Sequence, residues 1–332
     1  MIQQFRTSNP LNILLLAITA ILLRVVFLYN LTSETSQPFA ELLGNLLVQQ
    51  IYYPHIDTSL NIILAGLVVF VQALLLNRIV NNHNLLNKQT YLPALFFVIV
   101  CSVLTPFLTL SMPLLCNFLL LYVFNKLILS YKKSDAISVY FDLGLVVGIA
   151  TILYFPMIGL LLFTWCCLII LRPFYWREWI SSLIAFLLVM FFLAVYYFYN
   201  DKLTNFLDIW QPFQTPLNLF INIKYSQYLV LLPIVATLFL GLLSLQENFY
   251  KSFVMVRKGF LVLFLLSIVI LFSFYLSPDF AIIHFILLAV PVCVLMAYYF
   301  LYAKRKWIYE TLFFTIIVFI LYFQLGITTF NF

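Results

Sequence analysis

The sequence predicts an all-α protein, a polytopic transmembrane helical bundle of about eleven spans. Composition carries this prediction: 65% of the 332 residues are apolar and only 8% are charged. Soluble domains carry about 25% charged residues. One crossing needs roughly 20 apolar residues, so the apolar content suffices for about eleven crossings. We therefore expect a single transmembrane domain over residues 1–332 and no soluble catalytic domain.

Apolar runs divided by polar, proline or charged residues mark the spans in order. The first run follows Pro10 and is too long for a cleaved secretory signal, so it predicts a retained helix. Two pairs of shorter runs, divided near Pro106 and Pro156, predict full crossings or tight hairpins. The predicted spans are 11–29, 59–77, 92–105, 108–129, 138–153, 156–172, 179–198, 228–244, 259–276, 281–302 and 308–325.

The distribution of Lys and Arg predicts the orientation, because positive residues near span ends stay in the cytoplasm. With the N-terminus cytoplasmic and the C-terminus outside, fourteen of the 17 basic residues fall in inner loops. Two, Lys202 and Lys224, fall outside, and Arg24 lies within the first span. The net charge of +6 therefore reflects membrane insertion, and we expect no nucleic-acid partner.

The sequence lacks the motifs of the common soluble chemistries. It has no Walker loop, no dinucleotide fingerprint, no HExxH and no GxSxG. All five cysteines fall in apolar runs, away from histidines and carboxylates at metal-ligand spacing. We therefore expect no metal site and no cofactor.

Two outer loops, residues 30–58 and 199–227, are long enough to form a site. In the first, residues 38–51 have apolar side chains at helical spacing, which predicts an amphipathic helix on the membrane surface. Glu34 and Asp57 lie in the same loop, where no Lys or Arg neutralises them. They are the candidate catalytic bases at the boundary between water and membrane. The alternative is that they are solvated loop charges.

Arg24 lies about two-thirds of the way along the first span, on the side of the outer leaflet. An Arg within a span costs a few kcal/mol or more unless it finds a partner or extends to the interface. It is therefore a candidate ligand for a lipid phosphate. The alternative is that its side chain extends to the headgroups of the surrounding lipids.

The inner loop between the sixth and seventh spans combines charged and aromatic residues. Arg172, Trp176, Arg177 and Glu178 are candidates for contact with a cytoplasmic partner or with lipid headgroups. A basic anchor with an aromatic belt explains the same residues. Among the polar residues within spans, His284 has no acidic partner at a central position of another span, which favours an ordinary buried histidine over a proton relay.

Short motifs along most of the chain resemble an uncharacterised family of bacterial multi-span membrane proteins. The resemblance implies a bacterial inner-membrane location. The residues that carry it are Met1-Ile2, Phe5, Asn9-Pro10-Leu11, Gln89-Thr90-Tyr91-Leu92-Pro93-Ala94-Leu95 and Leu171-Arg172-Pro173-Phe174-Tyr175-Trp176-Arg177-Glu178-Trp179.

The layout also resembles glycosyltransferases of the C superfold, which have many spans and an acidic first outer loop. The resemblance implies a polyprenyl-phosphate-linked sugar donor. It further implies that Glu34 or Asp57 deprotonates an acceptor, with Arg24 near the leaving phosphate. The acidic pair that these enzymes usually carry in this loop is missing, so the resemblance is one of layout.

Three functions compete on this basis. The first is a glycosyltransferase-like protein, possessing full or degenerate activity on lipid-linked sugars at the outer face. The second is a non-catalytic structural or assembly subunit of an envelope complex, with protein partners. The third is a transporter, which the few charges within the spans disfavour. Membrane lipids are expected partners in each case.

Overall fold

A computed structural model describes residues 2–29, 58–131, 133, 135–201, 206, 210, 225–277 and 282–324. Within this part of the chain the structure has twelve α-helices and no strand, which confirms the all-α prediction there. The helices are α1 Ile2–Phe5, α2 Leu11–Tyr29, α3 Thr58–Asn82, α4 Leu92–Val100, α5 Met112–Ser130, α6 Ile137–Leu153, α7 Gly159–Leu171, α8 Trp176–Tyr199, α9 Tyr225–Asn248, α10 Val254–Ser273, α11 Ala289–Tyr302 and α12 Lys306–Gln324.

Local sequence explains where several helices begin. The Asn9 side-chain oxygen accepts a hydrogen bond from the Leu11 backbone N–H at 3.1 Å, just before α2. Pro10 lies between them, at a position where a missing N–H costs nothing. Ser111 caps α5 by accepting from the Leu114 N–H at 3.4 Å, and Pro113 lies in the first turn.

The helices α4 and α11 form the centre of the bundle. All nine residues of α4 are buried. The rings of Phe96 in α4 and Phe300 in α11 lie 4.6 Å apart, centroid to centroid. A helix that is apolar on every side belongs inside a bundle. The peripheral helices pack around these two.

The outward faces of the peripheral helices are apolar. Leu11 and Ile21 in α2 are 65% and 62% exposed, and Phe191 and Phe192 in α8 are 63% and 62% exposed. Exposed apolar surface on this scale marks contact with lipid or with another protein. Seven helices in the described residues are long and apolar enough to cross a membrane.

Each of the eleven predicted spans coincides with helical structure, but some are shorter than a crossing needs. The run 92–105 folds as the nine-residue α4, followed by a 3₁₀ turn at Thr105–Leu108. The helices α6 and α7, with 17 and 13 residues, are short too. The run 281–302, in contrast, is long enough to cross, because the 3₁₀ segment Ile282–Leu288 continues directly into α11. The count of eleven and the orientation of the termini stay predictions.

Side chains join turns that the charge count places on one side of the membrane. Arg6 donates to the backbone oxygens of Phe300 and Ala303, the second at 3.2 Å, and so caps the end of α11. Lys258, near the start of α10, donates to the Leu171 oxygen at 3.3 Å. We call the end of the bundle that carries these turns the basic face.

Candidate functional site

The helices α2 and α3 form the two walls of a groove on the surface of the bundle. Arg24 lies over Gly66, and Phe27 packs in one cluster with Ile62, so the two helices run in opposite directions. The groove has a volume of about 270 Å³. Apart from Arg24 and Gly66, its lining residues are apolar, and they include Ala17, Ile21, Val25, Ile63, Leu67 and Phe70.

The groove faces outward, toward the surroundings of the bundle. Ile21 and Val25 on α2 are 62% and 51% exposed, and Ile63 and Leu67 on α3 are 57% and 61% exposed. These residues lie within helices long and apolar enough to span a membrane. In a membrane, these exposed apolar side chains would lie toward the acyl chains of the bilayer.

Arg24 is buried in this groove without a hydrogen-bond partner. The residue is only 4% exposed, and within the described part of the chain none of its three guanidinium nitrogens has an acceptor. Its aliphatic stem lies over Gly66, where an added Cβ would come within 2.9 Å of Arg24 Cδ. The side chain therefore lies against α3, which argues against the alternative that it extends to bulk headgroups.

The neighbourhood of Arg24 is suited to a positive charge but does not pair it. The guanidinium lies near Cys101, the residue directly after α4. The C-terminal end of a helix carries partial negative charge, which stabilises a nearby cation. In the same turn, the Ser102 backbone oxygen accepts from Gln324 Nε2 at 3.0 Å, while Gln324 Oε1 is buried without a partner.

An unpaired buried guanidinium is a binding group. Arg presents five N–H donors in a planar fork that fits the oxygens of phosphate or carboxylate. Burying such a charge without a partner costs several kcal/mol, and the attraction of a helix terminus returns at most about 2 kcal/mol. The arrangement therefore favours an anionic group beside Arg24.

The two candidate catalytic bases, Glu34 and Asp57, lie outside the described residues, as does the predicted amphipathic helix at 38–51. By sequence, these residues belong to the segment that connects the two walls of the groove. Asp57 directly precedes Thr58, where α3 begins, and Glu34 follows the end of α2 by five residues. Their catalytic role stays a prediction.

The four candidate contact residues at the basic face form two pairs, one buried and one exposed. Arg172 and Glu178 form an ion pair at 2.8 Å with side chains only 4% and 3% exposed. Arg172 also donates to the backbone oxygens of Ser130 and Lys133, at 2.9 and 2.7 Å. This pair joins the α5–α6 and α7–α8 turns, so its two charges bind each other and the backbone of the protein itself.

Trp176 and Arg177 are the accessible members of that group. Trp176 is 59% exposed, and the Arg177 guanidinium lies 5.8 Å from its ring centroid. Contact with a partner or with headgroups stays a prediction for these two residues, and the structure favours them over Arg172 and Glu178 because they are free to make it.

His284 is a fully partnered buried histidine. Its Nε2 lies 3.0 Å from the Ile270 backbone oxygen, so Nε2 carries the proton and donates. Its Nδ1 then accepts from the Tyr154 hydroxyl at 2.9 Å, and Tyr154 in turn lies 3.0 Å from the Ser277 hydroxyl. This network satisfies polar groups inside the bundle, in agreement with the prediction of an ordinary buried histidine.

The remaining chemistry-bearing residues do not assemble into a metal site. In the described part of the chain, no group of three or more His, Cys, Asp or Glu residues lies close enough to hold a metal ion. All five cysteines are free. The groove is therefore the strongest candidate site in the part of the chain that the structure describes.

Long apolar helices with an apolar exterior define the class of this molecule as a multi-pass membrane protein. The chain belongs to the Family of unknown function (DUF6427), whose model matches residues 33–330. The matched range contains Glu34, Asp57 and α3, and α2 with Arg24 precedes it. Comparison with curated proteins and with solved structures gives no match.

Sequence reasoning identified Arg24 but missed Gly66, the residue that makes room for it. The two helices form a hairpin, so residues at equal depth could be paired by counting back from the loop. Such counting would have placed a glycine, one of only eight in the chain, near the level of Arg24. A glycine at that depth of the second helix was the sequence feature that could have identified the position opposite Arg24.

Proposed function

We propose that this protein binds the phosphate-bearing head of a membrane amphiphile in the groove between α2 and α3. One observation carries the proposal: the Arg24 guanidinium is 4% exposed, has no acceptor in the described part of the chain and lines an outward-facing apolar groove. A phosphate oxygen pair supplies the acceptors that Arg24 lacks.

The groove also suits the apolar chain of such a ligand. Its apolar lining continues from Arg24 along both helices as far as Ala17 and Phe70, which suits a hydrocarbon or isoprenoid chain. Entry from the side avoids moving a charged head through the packed interior. A polyprenyl phosphate combines the two parts, an anionic head and a long apolar chain.

We further propose that the bound lipid is a sugar donor and that the protein is a glycosyltransferase-like enzyme at the outer face of the bacterial inner membrane. Gly66 lies eight residues into α3, about 12 Å along the helix axis from its first residue at 1.5 Å per residue. A sugar on the phosphate at Arg24 would fill part of that distance and approach the segment carrying Asp57 and Glu34. Either carboxylate would then deprotonate the acceptor.

The second candidate function is a non-catalytic assembly subunit of an envelope complex. The exposed pair Trp176 and Arg177 favours it, because aromatic and Arg side chains are enriched where proteins bind one another. In this case the lipid in the groove would be structural.

The variant Arg24→Met tests lipid binding. The protein is purified in a mild neutral detergent and its retained lipids are measured by native mass spectrometry. We expect wild type to retain a phosphate-bearing lipid and Arg24→Met to lose it, because Met keeps the apolar volume and removes all five donors. Arg78→Met, which removes an exposed Arg on α3, is the matched control and should retain the lipid. Equal lipid retention in all three proteins would refute the proposal.

The variants Glu34→Gln and Asp57→Asn separate catalysis from binding. We expect both to retain the lipid, and at least one to accumulate lipid-linked sugar in cells because the base is lost. Unchanged lipid-linked sugars in the double variant, with lipid retention intact, would exclude the enzyme and leave the assembly subunit.

A further inference from the structure

A second cavity lies at the basic face, between the C-terminal end of α9 and the turn that joins α11 to α12. Its volume is about 420 Å³. Unlike the groove at Arg24, it is lined by charged and polar side chains. We call it the basic cleft, and its polar lining includes Ser244, Glu247, Asn248, Lys251, Lys304 and Arg305.

The cations of the basic cleft are unpaired. The exposed side chains of Lys251, Lys304 and Arg305 share the lining with a single carboxylate, Glu247, and in the described residues none of the three has an ion-pair or hydrogen-bond partner within the protein. Four other cations near this face are used internally. They are Arg6 on the α11 carbonyls, Lys126 on Asp142, Arg172 on Glu178 and Lys258 on the Leu171 carbonyl.

Two short turns fix the backbone beside these cations. Lys251 ends the 3₁₀ turn Phe249–Lys251, which the Ser252 hydroxyl fastens by donating to the Asn248 oxygen at 3.0 Å. On the other side, Arg6 holds the Ala303 carbonyl directly before Lys304. A fixed backbone lowers the entropy cost of bringing several cations onto one anion.

We infer that the basic cleft binds a phosphate group. Three unpaired cations around one cavity supply positive charge and N–H donors for the oxygens of a phosphate group. Glu247 supplies an acceptor for a hydroxyl or ammonium group on the same ligand. The phosphate belongs to an anionic lipid headgroup or to a soluble phosphorylated compound. This inference is independent of the lipid in the groove at Arg24, which lies between other helices.

The double variant Lys304→Ala/Arg305→Ala tests the cleft, with Lys88→Ala/Lys133→Ala as a control that removes two exposed cations outside it. Thermal unfolding of the full chain in neutral detergent is followed against phosphatidylglycerol and, separately, against inorganic phosphate. We expect one of the two probes to stabilise both wild type and control, and the apparent Kd for that probe to be the same in the two proteins. The cleft variant should bind that probe about tenfold more weakly, about 1.4 kcal/mol.

The probe that stabilises the protein identifies the source of the phosphate. A cleft-dependent response to phosphatidylglycerol alone indicates a lipid headgroup, and a cleft-dependent response to inorganic phosphate indicates a soluble ligand. Equal responses of the cleft variant and the control to both probes would overturn the inference. If the double variant does not fold, Lys251→Ala is measured against Lys88→Ala with the same criteria.

Discussion

The burial of Arg24 costs free energy in two ways: a charge is removed from water, and its N–H donors have no acceptors in the described part of the chain. No contact within that part of the protein fully offsets these two costs. Gly66 leaves room for this arrangement, because a Cβ there would lie 2.9 Å from Arg24 Cδ and the Arg24 side chain would have to shift. At the scale of the residue, the lipid binding that we propose therefore depends on the charge of Arg24 and on the absence of a side chain at Gly66 opposite it.

The variant Gly66→Ala tests this pairing. Its Cβ would lie 2.9 Å from Arg24 Cδ and 3.1 Å from Nε, so the flexible side chain must move. We expect affinity for the phosphate-bearing lipid to fall about tenfold, which corresponds to about 1.4 kcal/mol. In an Arg24→Met background the same substitution should leave affinity unchanged. A similar loss in both backgrounds would show that Gly66 acts on the groove independently of Arg24.

The helices were predictable from the sequence where the residues next to a helix end determine that end. The first span was predicted at 11–29 and α2 has those bounds, because Asn9 and Pro10 determine its start. The run 92–105 was predicted as a full crossing or as one arm of a tight hairpin, and its helix α4 ends at Val100. Apolarity alone cannot distinguish a short buried helix from a span, since burial is decided by the helices around it.

The Arg172–Glu178 pair links elements, and Glu178→Gln tests its contribution. Removing one partner of a buried ion pair leaves an uncompensated charge and costs about 3–5 kcal/mol. We expect the free energy of unfolding to fall by that order, measured by SDS titration in mixed micelles. The control Asp142→Asn removes a pair with Lys126 that is 30% and 48% exposed, so it should cost less than about 1 kcal/mol. Equal effects would contradict the structural role of the buried pair.

On the scale of the whole molecule, the two cavities lie in opposite settings. The groove at Arg24 is apolar, faces the bilayer and lies in the half of α2 nearer its C-terminus, whereas the basic cleft is polar and lies among the turns of the basic face. Sequence alone identified Arg24 because one charge in an apolar run is conspicuous. It could not identify the cleft, because Lys251 is distant in the chain from Lys304 and Arg305, and the sequence does not distinguish these three cations from those that orient the spans.

The most direct test of the account is a high-resolution map of the purified protein in a lipid nanodisc, inspected between α2 and α3. We predict density for a phosphate within hydrogen-bonding distance of the Arg24 guanidinium, continuing as a chain along Ile21 and Leu67. A guanidinium hydrogen-bonded only to water or protein, in a groove filled by ordinary acyl chains, would contradict the central claim that Arg24 binds an anionic lipid head.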